Sequence, residues 1–233
     1  MSMTVAALIV AAGRGTRMGS PTPKAFLPLG GVPILARAVA AFSAHPRIGL
    51  VVAVVSDLDA ARRALGEAAA RVVLVAGGPE RQDSVRLGLA AVGGASLVLV
   101  HDAARPLVPR RVVDAVLEAA ARHGAAVPAL PVRDTIKRRA PGGGIAGTVP
   151  RDDLALAQTP QGFRTGLLRE AYARADREGF LGTDDAILLE RAGVAVALVP
   201  GSPRNIKITT PADLRLAEAI LALGPGEEGG QDE

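Results

Sequence analysis

The alternation of short apolar runs with longer helical stretches is the feature that most constrains the fold of this chain. Runs rich in Val, Leu and Ile occupy residues 5–11, 50–55, 72–75, 97–100, 126–130 and 194–199. Stretches with helical spacing of apolar residues occupy residues 33–43, 58–70, 83–92, 109–123 and 165–178. Such short runs are typical of strands buried on both faces. The alternation therefore predicts an α/β fold with a mostly parallel sheet and helices on both of its faces.

Two segments depart from this alternation. Residues 133–159 contain an Ile-Lys-Arg-Arg run, a Pro-Gly-Gly-Gly turn signal and a second β-capable run ending at Val149. This pattern predicts a protruding β-arm, which has too little core of its own and is expected to pack against a partner. Residues 211–223 are predicted to form a helix, and residues 224–233 a disordered tail. The chain is thus predicted to be one domain over residues 1–223.

Composition excludes several classes of function. The 233 residues include no cysteine, which removes disulfides, thiolate metal sites and cysteine nucleophiles and fits a reducing compartment. Aromatic residues make up only 2% of the chain, so a base-stacking platform for nucleic acid is not expected. The first apolar run is too short to span a bilayer and lacks a signal-peptide context. We expect a cytoplasmic protein with neither a nucleic-acid nor a membrane partner.

A glycine-rich segment follows the first predicted strand directly. It has the sequence AAGRGTRMG from Ala11 to Gly19 and is followed by Pro23 and Lys24. A glycine-rich turn after a parallel strand presents backbone N–H groups to an anion, and the nearby cations add to the attraction. The alternative is an ordinary turn between a strand and a helix.

Two familiar anion-binding loops do not fit this segment. A Walker A loop requires Gly-Lys-Ser/Thr after its second glycine, which is missing here. A dinucleotide fingerprint requires a third glycine where Met18 stands and an acidic residue about 20 positions further on. The chain has no Asp or Glu before Asp57, so its opening segment is cationic throughout. Such a segment favours a polyphosphate ligand.

Further segments, taken together in order, resemble one family of nucleotidyltransferases. They are GGPERQDSV at 77–85, HDAARP at 101–106, PVRDTIK at 131–137, QTPQ at 158–161, TDDA at 183–186 and NIKIT at 205–209. With the glycine-rich segment, they are similar to the 2-C-methyl-D-erythritol 4-phosphate cytidylyltransferase family over residues 4–220. Two positions depart from the family pattern: Pro79 stands where an acidic residue is common, and Ile187 where serine is frequent.

The resemblance implies both a fold and an activity. The fold would be a Rossmann-like sheet of the nucleotide-diphospho-sugar transferase type, with the β-arms of a homodimer interlocked. The activity would combine CTP and 2-C-methyl-D-erythritol 4-phosphate into 4-diphosphocytidyl-2-C-methyl-D-erythritol and pyrophosphate, with Mg²⁺ or another divalent cation, in the non-mevalonate isoprenoid pathway. Two alternatives are a cytidylyltransferase for ribitol 5-phosphate or another polyol phosphate, and a nucleotide-binding module without activity.

The resemblance also implies roles for individual residues. Catalytic roles are implied for Arg17, Lys24, Arg151 and Lys207. Contacts with CTP are implied for Ala11, Ala12, Gly13, Arg14, Gly15, Thr16, Gly78, Ser84, Asp102 and Ala103. Contacts with the polyol phosphate are implied for Arg105, Thr135, Arg151, Thr159, Thr183 and Lys207. Asp102 is also the expected Mg²⁺ ligand.

The chemistry of this reaction requires no general base, because the attacking phosphate oxygen is already anionic at neutral pH. The enzyme must instead align the reactants and stabilise charge at the α-phosphorus and on the leaving pyrophosphate. Arg17 and Lys24 are expected to stabilise that charge, and Lys207 to hold the attacking phosphate. His101 is expected to be a structural residue at a strand end.

Some of these residues have structural alternatives. Asp102 could cap a turn, and Ser84 could cap the helix that follows the Gly-Gly segment. Asp184 and Asp185 are expected to cap a helix over residues 186–191.

Lysine is scarce, with only Lys24, Lys137 and Lys207 among 27 cationic side chains. This arginine excess explains the sequence pI near 10.3, so the pI is poor evidence for a nucleic-acid partner. The surviving lysines are candidates for positions that require a compact ammonium group rather than a planar guanidinium. The alternative is that they remain on solvated faces by chance, which explains Lys137 on the predicted arm adequately. Thr135 and Arg151 could likewise be ordinary exposed residues of that arm.

Overall fold

A computed structural model of the chain describes residues 3–13, 18–20 and 22–224. Its strands are β1 (Val5–Ala11), β2 (Pro28–Leu29), β3 (Val32–Pro33), β4 (Leu50–Val55), β5 (Val73–Ala76), β6 (Leu97–Asp102), β7 (Ala125–Pro131), β8 (Ile136–Arg139), β9 (Ile145–Val149), β10 (Ala155–Ala157), β11 (Gln161–Arg164) and β12 (Ala197–Pro200). Its helices are α1 (Ile34–Ser43), α2 (Leu58–Leu65), α3 (Arg81–Ala91), α4 (Arg110–His123), α5 (Thr165–Glu178), α6 (Ala186–Arg191) and α7 (Pro211–Ala222). Short 3-10 helices cover Lys24–Phe26 and Gly66–Arg71. Among the described residues, no helix combines the length and apolar character needed to cross a membrane.

The main sheet places β1 between two parallel neighbours. In the described part of the chain the strand order is β10-β7-β11-β6-β1-β4-β5, with β12 paired to β7. β1 is parallel to both β4 and β6, whereas β11 is antiparallel to β6 and β7. The chain runs from β1 to β4 on one side and returns to form β6 on the other. A crevice therefore opens at the carboxyl ends of β1 and β6, where open α/β sheets bind ligands.

Alternate residues of β1 belong to two separate cores. Ala7 and Ile9 pack in the core that includes side chains of α1 and α4, whereas Ala6 and Leu8 pack with side chains of α3 and α5. All four are fully buried. Successive strand residues point to opposite faces, so a strand covered on both faces must be apolar throughout. The predicted α/β fold with helices on both faces is confirmed.

The helices and strands mostly begin and end close to their predicted limits, with one clear exception in the region of α2. The predicted helix over residues 58–70 ends at Leu65 and continues as the 3-10 helix Gly66–Arg71. Gly66 has a φ of 56°, a conformation that glycine adopts readily and that ends an α-helix. The predicted strand over residues 194–199 also begins later, at Ala197.

Strand β11 was not expected from the sequence. Its four residues, Gln-Gly-Phe-Arg, include no β-branched residue and show no alternation that would indicate a strand. It forms because it fills the space between β6 and β7, where it pairs with both strands. The pairing with β6 and β7, and not the local sequence, therefore makes these residues a strand.

Residues 133–159 divide between two sheets. β8 and β9 form an antiparallel two-stranded hairpin outside the main sheet, while β10 pairs with β7 at the edge of the main sheet. The hairpin is thus shorter than the predicted arm, and its use in dimerisation stays a prediction. Gly224 is the last described residue, so the predicted disorder of the tail falls outside the described residues.

Candidate active site

A cavity of about 250 Å³ opens at the carboxyl ends of β1 and β6. It brings together many of the residues predicted to form the site, although they come from distant parts of the sequence. These are Ala11, Ala12, Gly13, Lys24, Gly78, Ser84, Asp102, Ala103 and Lys207. Arg81, Pro79 and Glu80 also line it, and they belong to the segment that opens α3.

The Asp102 carboxylate is the anionic centre of this cavity. Its Oδ2 lies 2.6 Å from Lys207 Nζ, and its Oδ1 accepts a hydrogen bond from Arg81 Nε at 3.2 Å. Burial alone raises the pKa of a carboxyl group, but the charges of Arg81 and Lys207 outweigh it and hold the pKa of Asp102 well below its usual range. Asp102 is therefore a carboxylate at neutral pH, and both of its oxygens contact cations rather than capping a turn.

A buried hydrogen-bond network fixes the end of β6 that carries Asp102. The Asp102 N–H donates to Thr159 Oγ1 at 3.1 Å, and the Thr159 hydroxyl lies 3.1 Å from His101 Nδ1. His101 Nε2 lies 3.0 Å from the Arg105 carbonyl oxygen, which can only accept, so Nε2 carries the ring proton and Thr159 donates to Nδ1. Burial lowers the pKa of His101 to about 4, so the ring is neutral. His101 is a structural residue, as expected.

Hydrogen bonds hold the loop that carries Lys207 against the segment that follows β6. The Ile208 N–H donates to the Ala104 carbonyl at 2.8 Å, and Arg105 Nη1 donates to the Asn205 carbonyl at 2.7 Å. The Asn205 side chain in turn donates to the Thr159 carbonyl at 2.8 Å. In this structure Arg105 and Thr159 make contacts within the protein, and their predicted contacts with the polyol phosphate stay predictions.

Ser84 shapes the glycine turn before α3 instead of capping that helix. The Gly78 N–H donates to Ser84 Oγ at 3.1 Å, and the Ser84 hydroxyl donates to the Glu80 carbonyl at 3.1 Å. Glu80 is the N-cap residue. A Cβ atom on Gly77 would lie 2.2 Å from the Ala12 Cβ, and one on Gly78 would lie 2.4 Å from the Asp83 Cβ. Glycine is therefore required for the close approach of this turn to the end of β1.

The opening loop is described in part. Lys24 begins a 3-10 helix, is half-buried and lines the cavity beside the end of β1. The predicted phosphate-binding residues Arg14, Gly15, Thr16 and Arg17 lie outside the described residues, so their roles stay predictions.

Five of the described residues predicted for the site do not line the cavity: Arg105 and Thr159, whose contacts are given above, and three exposed residues. Thr135, Arg151 and Thr183 are exposed and do not line it. Arg151 donates to the Arg133 carbonyl and so ties together the two ends of the segment that carries the hairpin.

A family comparison agrees with this arrangement of residues. The family model of 2-C-methyl-D-erythritol 4-phosphate cytidylyltransferase matches residues 5–223 of the chain. The chain belongs to this family. A protein of that name from Symbiobacterium thermophilum is 47% identical to it over 95% of this chain and 94% of its own length. Another, from Acidobacterium capsulatum, is also 47% identical, over 94% of this chain and 98% of its own length.

A solved structure extends the similarity to the fold. The crystal structure of 2-C-methyl-D-erythritol 4-phosphate cytidylyltransferase from Thermus thermophilus matches with a TM-score of 0.80 and 44% identity, covering 95% of this chain and all of that chain. The Rossmann-like sheet implied by the sequence resemblance is therefore confirmed for this cytidylyltransferase.

A second buried ion pair in this cytidylyltransferase was not expected from the sequence. Arg81 Nη2 donates to Asp185 Oδ2 at 2.7 Å, and the Tyr172 hydroxyl donates to Asp185 Oδ1 at 2.5 Å. The prediction that Asp185 caps α6 through its side chain is wrong, because both carboxylate oxygens have these other partners. Asp184 performs that role, since its Oδ1 accepts from the Ile187 N–H at 3.1 Å. The sequence offers no signal for this pair, because the helix predicted over residues 83–92 leaves Arg81 outside it.

The donor set in the cavity fits a cation that is also bound by phosphate groups. Among the residues described here, no group of three or more His, Cys, Asp and Glu side chains is placed to hold a metal ion. Mg²⁺ is commonly held by one or two carboxylates together with substrate phosphates and water. Asp102, a buried carboxylate facing the cavity of this cytidylyltransferase, is compatible with such a site.

Proposed function

We propose that this chain transfers CMP from CTP to 2-C-methyl-D-erythritol 4-phosphate, giving 4-diphosphocytidyl-2-C-methyl-D-erythritol and pyrophosphate. The product belongs to the non-mevalonate pathway of isoprenoid precursors. The observation that carries the proposal is the convergence of Lys24, Asp102 and Lys207 in one cavity at the carboxyl ends of β1 and β6. Membership of the cytidylyltransferase family supports the same conclusion.

The reaction is an in-line substitution at the α-phosphorus of CTP. A phosphate oxygen of the polyol phosphate forms the new P–O bond, and the bond to pyrophosphate breaks on the opposite side. Lys207, with a partly exposed side chain, holds the attacking phosphate, and Lys24 stabilises negative charge on the triphosphate. His101 takes no part in proton transfer because its ring nitrogens are both engaged and its pKa is low.

Mg²⁺ is the expected divalent cation, and Asp102 would hold it together with the triphosphate. When bound, the cation neutralises charge on the phosphates and helps to orient them. Asp102 contributes a carboxylate that stays ionised, because its pKa is held low. Lys207 occupies Oδ2 of that carboxylate and is the more exposed of its two cationic partners, so it is the one that can turn toward a substrate phosphate.

Backbone groups recognise the nucleotide base. Gly78 lines the cavity in a turn that Ser84 holds in place, and the end of β1 supplies Ala11 and Ala12 beside this turn. Backbone recognition suits a cavity that lacks an aromatic side chain among its described lining residues. Pro79 lines the same cavity, so a side-chain contact from an acidic residue at this position is absent.

The active unit is a homodimer that forms through the hairpin of β8 and β9. Ile145 on this hairpin is 70% exposed, and Leu156 on the neighbouring edge strand β10 is 53% exposed. Burial of these apolar side chains against a second copy would remove them from water and stabilise the assembly. Thr135 and Arg151 flank the hairpin. The family resemblance implies that they lie near the substrate of the neighbouring subunit.

One assay tests this function and its alternatives together. Purified full-length protein with Mg²⁺ is incubated with each of the four ribonucleoside triphosphates and either 2-C-methyl-D-erythritol 4-phosphate or ribitol 5-phosphate. Pyrophosphate is measured, and the nucleotide product is identified by mass. We expect turnover with CTP and the methylerythritol phosphate. A clear preference for ribitol 5-phosphate, or no pyrophosphate from any pair, would contradict the proposal.

A further inference from the structure

One guanidinium group bridges two buried carboxylates next to the cavity. Arg81 reaches Asp102 through Nε at 3.2 Å and Asp185 through Nη2 at 2.7 Å. The Asp102 side chain is 11% exposed and the Asp185 side chain is fully buried. Burial opposes the charged form of Arg81, yet the two carboxylates outweigh it and raise the pKa of Arg81 above its ordinary value. Arg81 therefore stays protonated and bridges the two carboxyl groups.

The position of Arg81 in its helix is unfavourable by local rules. Arg81 is the first residue of α3, where the helix dipole favours an anion, and the neighbouring Glu80 and Asp83 follow that preference by forming a capping box. Arg81 instead crosses to β6 and to the segment before α6. Residues that break a local rule tend to lie at functional sites, where the cost is offset elsewhere.

Asp185 is itself held rigidly, so it is a firm anchor for Arg81. Its second carboxylate oxygen accepts from the Tyr172 hydroxyl at 2.5 Å, and burial together with Asp185 raises the pKa of Tyr172 well above its usual value. The backbone N–H of Asp185 donates to Gln161 Oε1 at 3.1 Å, and Gln161 is buried on β11. Groups on α5 and β11 thus fix the carboxylate to which Arg81 is attached.

We propose that Arg81, anchored by Asp185 and Tyr172, is a positioning residue that fixes the orientation of the Asp102 carboxylate for the divalent cation and the triphosphate. This inference rests on the proposed function. The Asp102 carboxylate has Lys207 on one oxygen and Arg81 on the other. When Lys207 turns to a substrate phosphate, Arg81 remains as the partner that holds the carboxylate in place. An ammonium group cannot reproduce this bridge, because a lysine offers one charged centre rather than a planar fork.

The test compares three single variants with the wild-type enzyme. Arg81→Lys keeps the charge but loses the bridge, and Tyr172→Phe removes only the hydroxyl that anchors Asp185. Arg86→Lys is the matched control, because Arg86 lies on the same helix and makes only a 3.5 Å contact with Asp83 on an exposed surface. For each protein, Mn²⁺ affinity in the presence of CTP is measured by electron paramagnetic resonance. The kcat and the KM for each substrate are measured with Mg²⁺, and the melting temperature reports folding.

For Arg81→Lys we expect Mn²⁺ to bind about 10- to 100-fold more weakly and kcat to fall about 10²-fold, with little change in KM for the polyol phosphate. Tyr172→Phe is expected to change both quantities in the same direction by a smaller factor, and Arg86→Lys to change neither. A folded Arg81→Lys protein with the Mn²⁺ affinity and kcat of the control overturns the proposal, because Arg81 then serves only to neutralise Asp185. If Arg81→Lys does not fold, unchanged Mn²⁺ affinity in Tyr172→Phe overturns it.

The same measurements separate this proposal from the proposed function. A wild-type protein that binds Mn²⁺ with CTP but releases no pyrophosphate with 2-C-methyl-D-erythritol 4-phosphate contradicts the proposed activity. In that case the Mn²⁺ affinities of the variants still decide whether Arg81 positions Asp102.

Discussion

The cavity and the hairpin of β8 and β9 use cationic side chains in opposite ways. In the cavity, Lys207 and Arg81 contact the largely buried carboxylate of Asp102. On the hairpin, Lys137 is exposed and donates to the neighbouring Thr148 hydroxyl at 2.6 Å across the two strands. A buried charge requires a partner of opposite charge, whereas an exposed one is stabilised by water. The same residue type is therefore fixed in one region and solvated in the other.

The difference between the cavity and the hairpin indicates which parts of the site one chain completes alone. The end of β6 that carries Asp102 into the cavity is held by contacts within the chain, including the hydrogen bonds of Thr159 with Asp102 and His101. The hairpin has no comparable core, since most of its residues are exposed. We therefore expect substitutions in the cavity to reduce chemistry directly, and changes in the hairpin to act through assembly.

The strongest test of the comparison changes the two cavity lysines. Lys207→Arg and Lys24→Arg are each expected to lower kcat about 10²-fold or more while the protein stays folded. At position 207 a guanidinium group would form a bidentate pair with the Asp102 carboxylate and be retained there, away from the substrate phosphate. Steady-state kinetics with CTP and 2-C-methyl-D-erythritol 4-phosphate, alongside circular dichroism, measure this. Turnover near that of the wild type in both variants would mean that the compact ammonium is not required.

A second test uses the buried histidine under the cavity. The pKa of His101 falls from 6.5 to about 4 in the folded protein, so folding excludes a proton that the unfolded chain accepts. Protonation of His101 in the unfolded chain therefore lowers the free energy of unfolding as the pH decreases from 6.5 toward 4. Between pH 7 and pH 5 this loss is about 2 kcal/mol. Urea unfolding of the wild type and His101→Gln at both pH values measures it, and equal losses in the two proteins would contradict the assignment.

A third test removes the hairpin. Replacing residues 136–149 with a short Gly-Ser linker is expected to give a monomer and to reduce kcat about tenfold, because Thr135 and Arg151 of one copy no longer reach the other. The nearby ends of the segment, joined by Arg151 and the Arg133 carbonyl, allow a short linker. Light scattering gives the oligomeric state and pyrophosphate release gives the rate. A fully active monomer would show that one chain completes the site.

The smallest effect is expected at the third lysine. Lys137→Arg should leave kcat and KM within about twofold of the wild type, since the side chain is exposed and an exposed contact contributes little. It is also the matched control for the two cavity lysines. The same kinetic assay measures it, and a loss as large as that of Lys207→Arg would place Lys137 in the chemistry and remove the contrast between the two regions.

The sequence pattern predicts most of the sheet because its main strands are buried on both faces. β1 and β4 begin and end at the predicted residues, and so does helix α5. β11 escapes prediction because its short polar sequence becomes a strand only between two others. Hydrophobic periodicity indicates the secondary structure that a segment prefers in isolation, whereas β11 is a strand because it pairs with β6 and β7.

The candidate site likewise contains residues that the sequence predicts and a contact that it does not. Lys24, Asp102 and Lys207 lie in local motifs at strand ends or loops, so their convergence follows from the topology of a parallel sheet. The link between Arg81 and Asp185 spans 104 positions in sequence and leaves no local pattern. Contacts of this kind depend on how helices are placed on the sheet, which local sequence patterns do not show.

A crystal structure of the enzyme with CTP and Mg²⁺ would show directly whether the cavity at the carboxyl ends of β1 and β6 is the nucleotide site. We predict that the base lies against Gly78 and the end of β1, with the triphosphate between Lys24 and Asp102. A nucleotide bound elsewhere on the protein, with this cavity unchanged, would contradict the account.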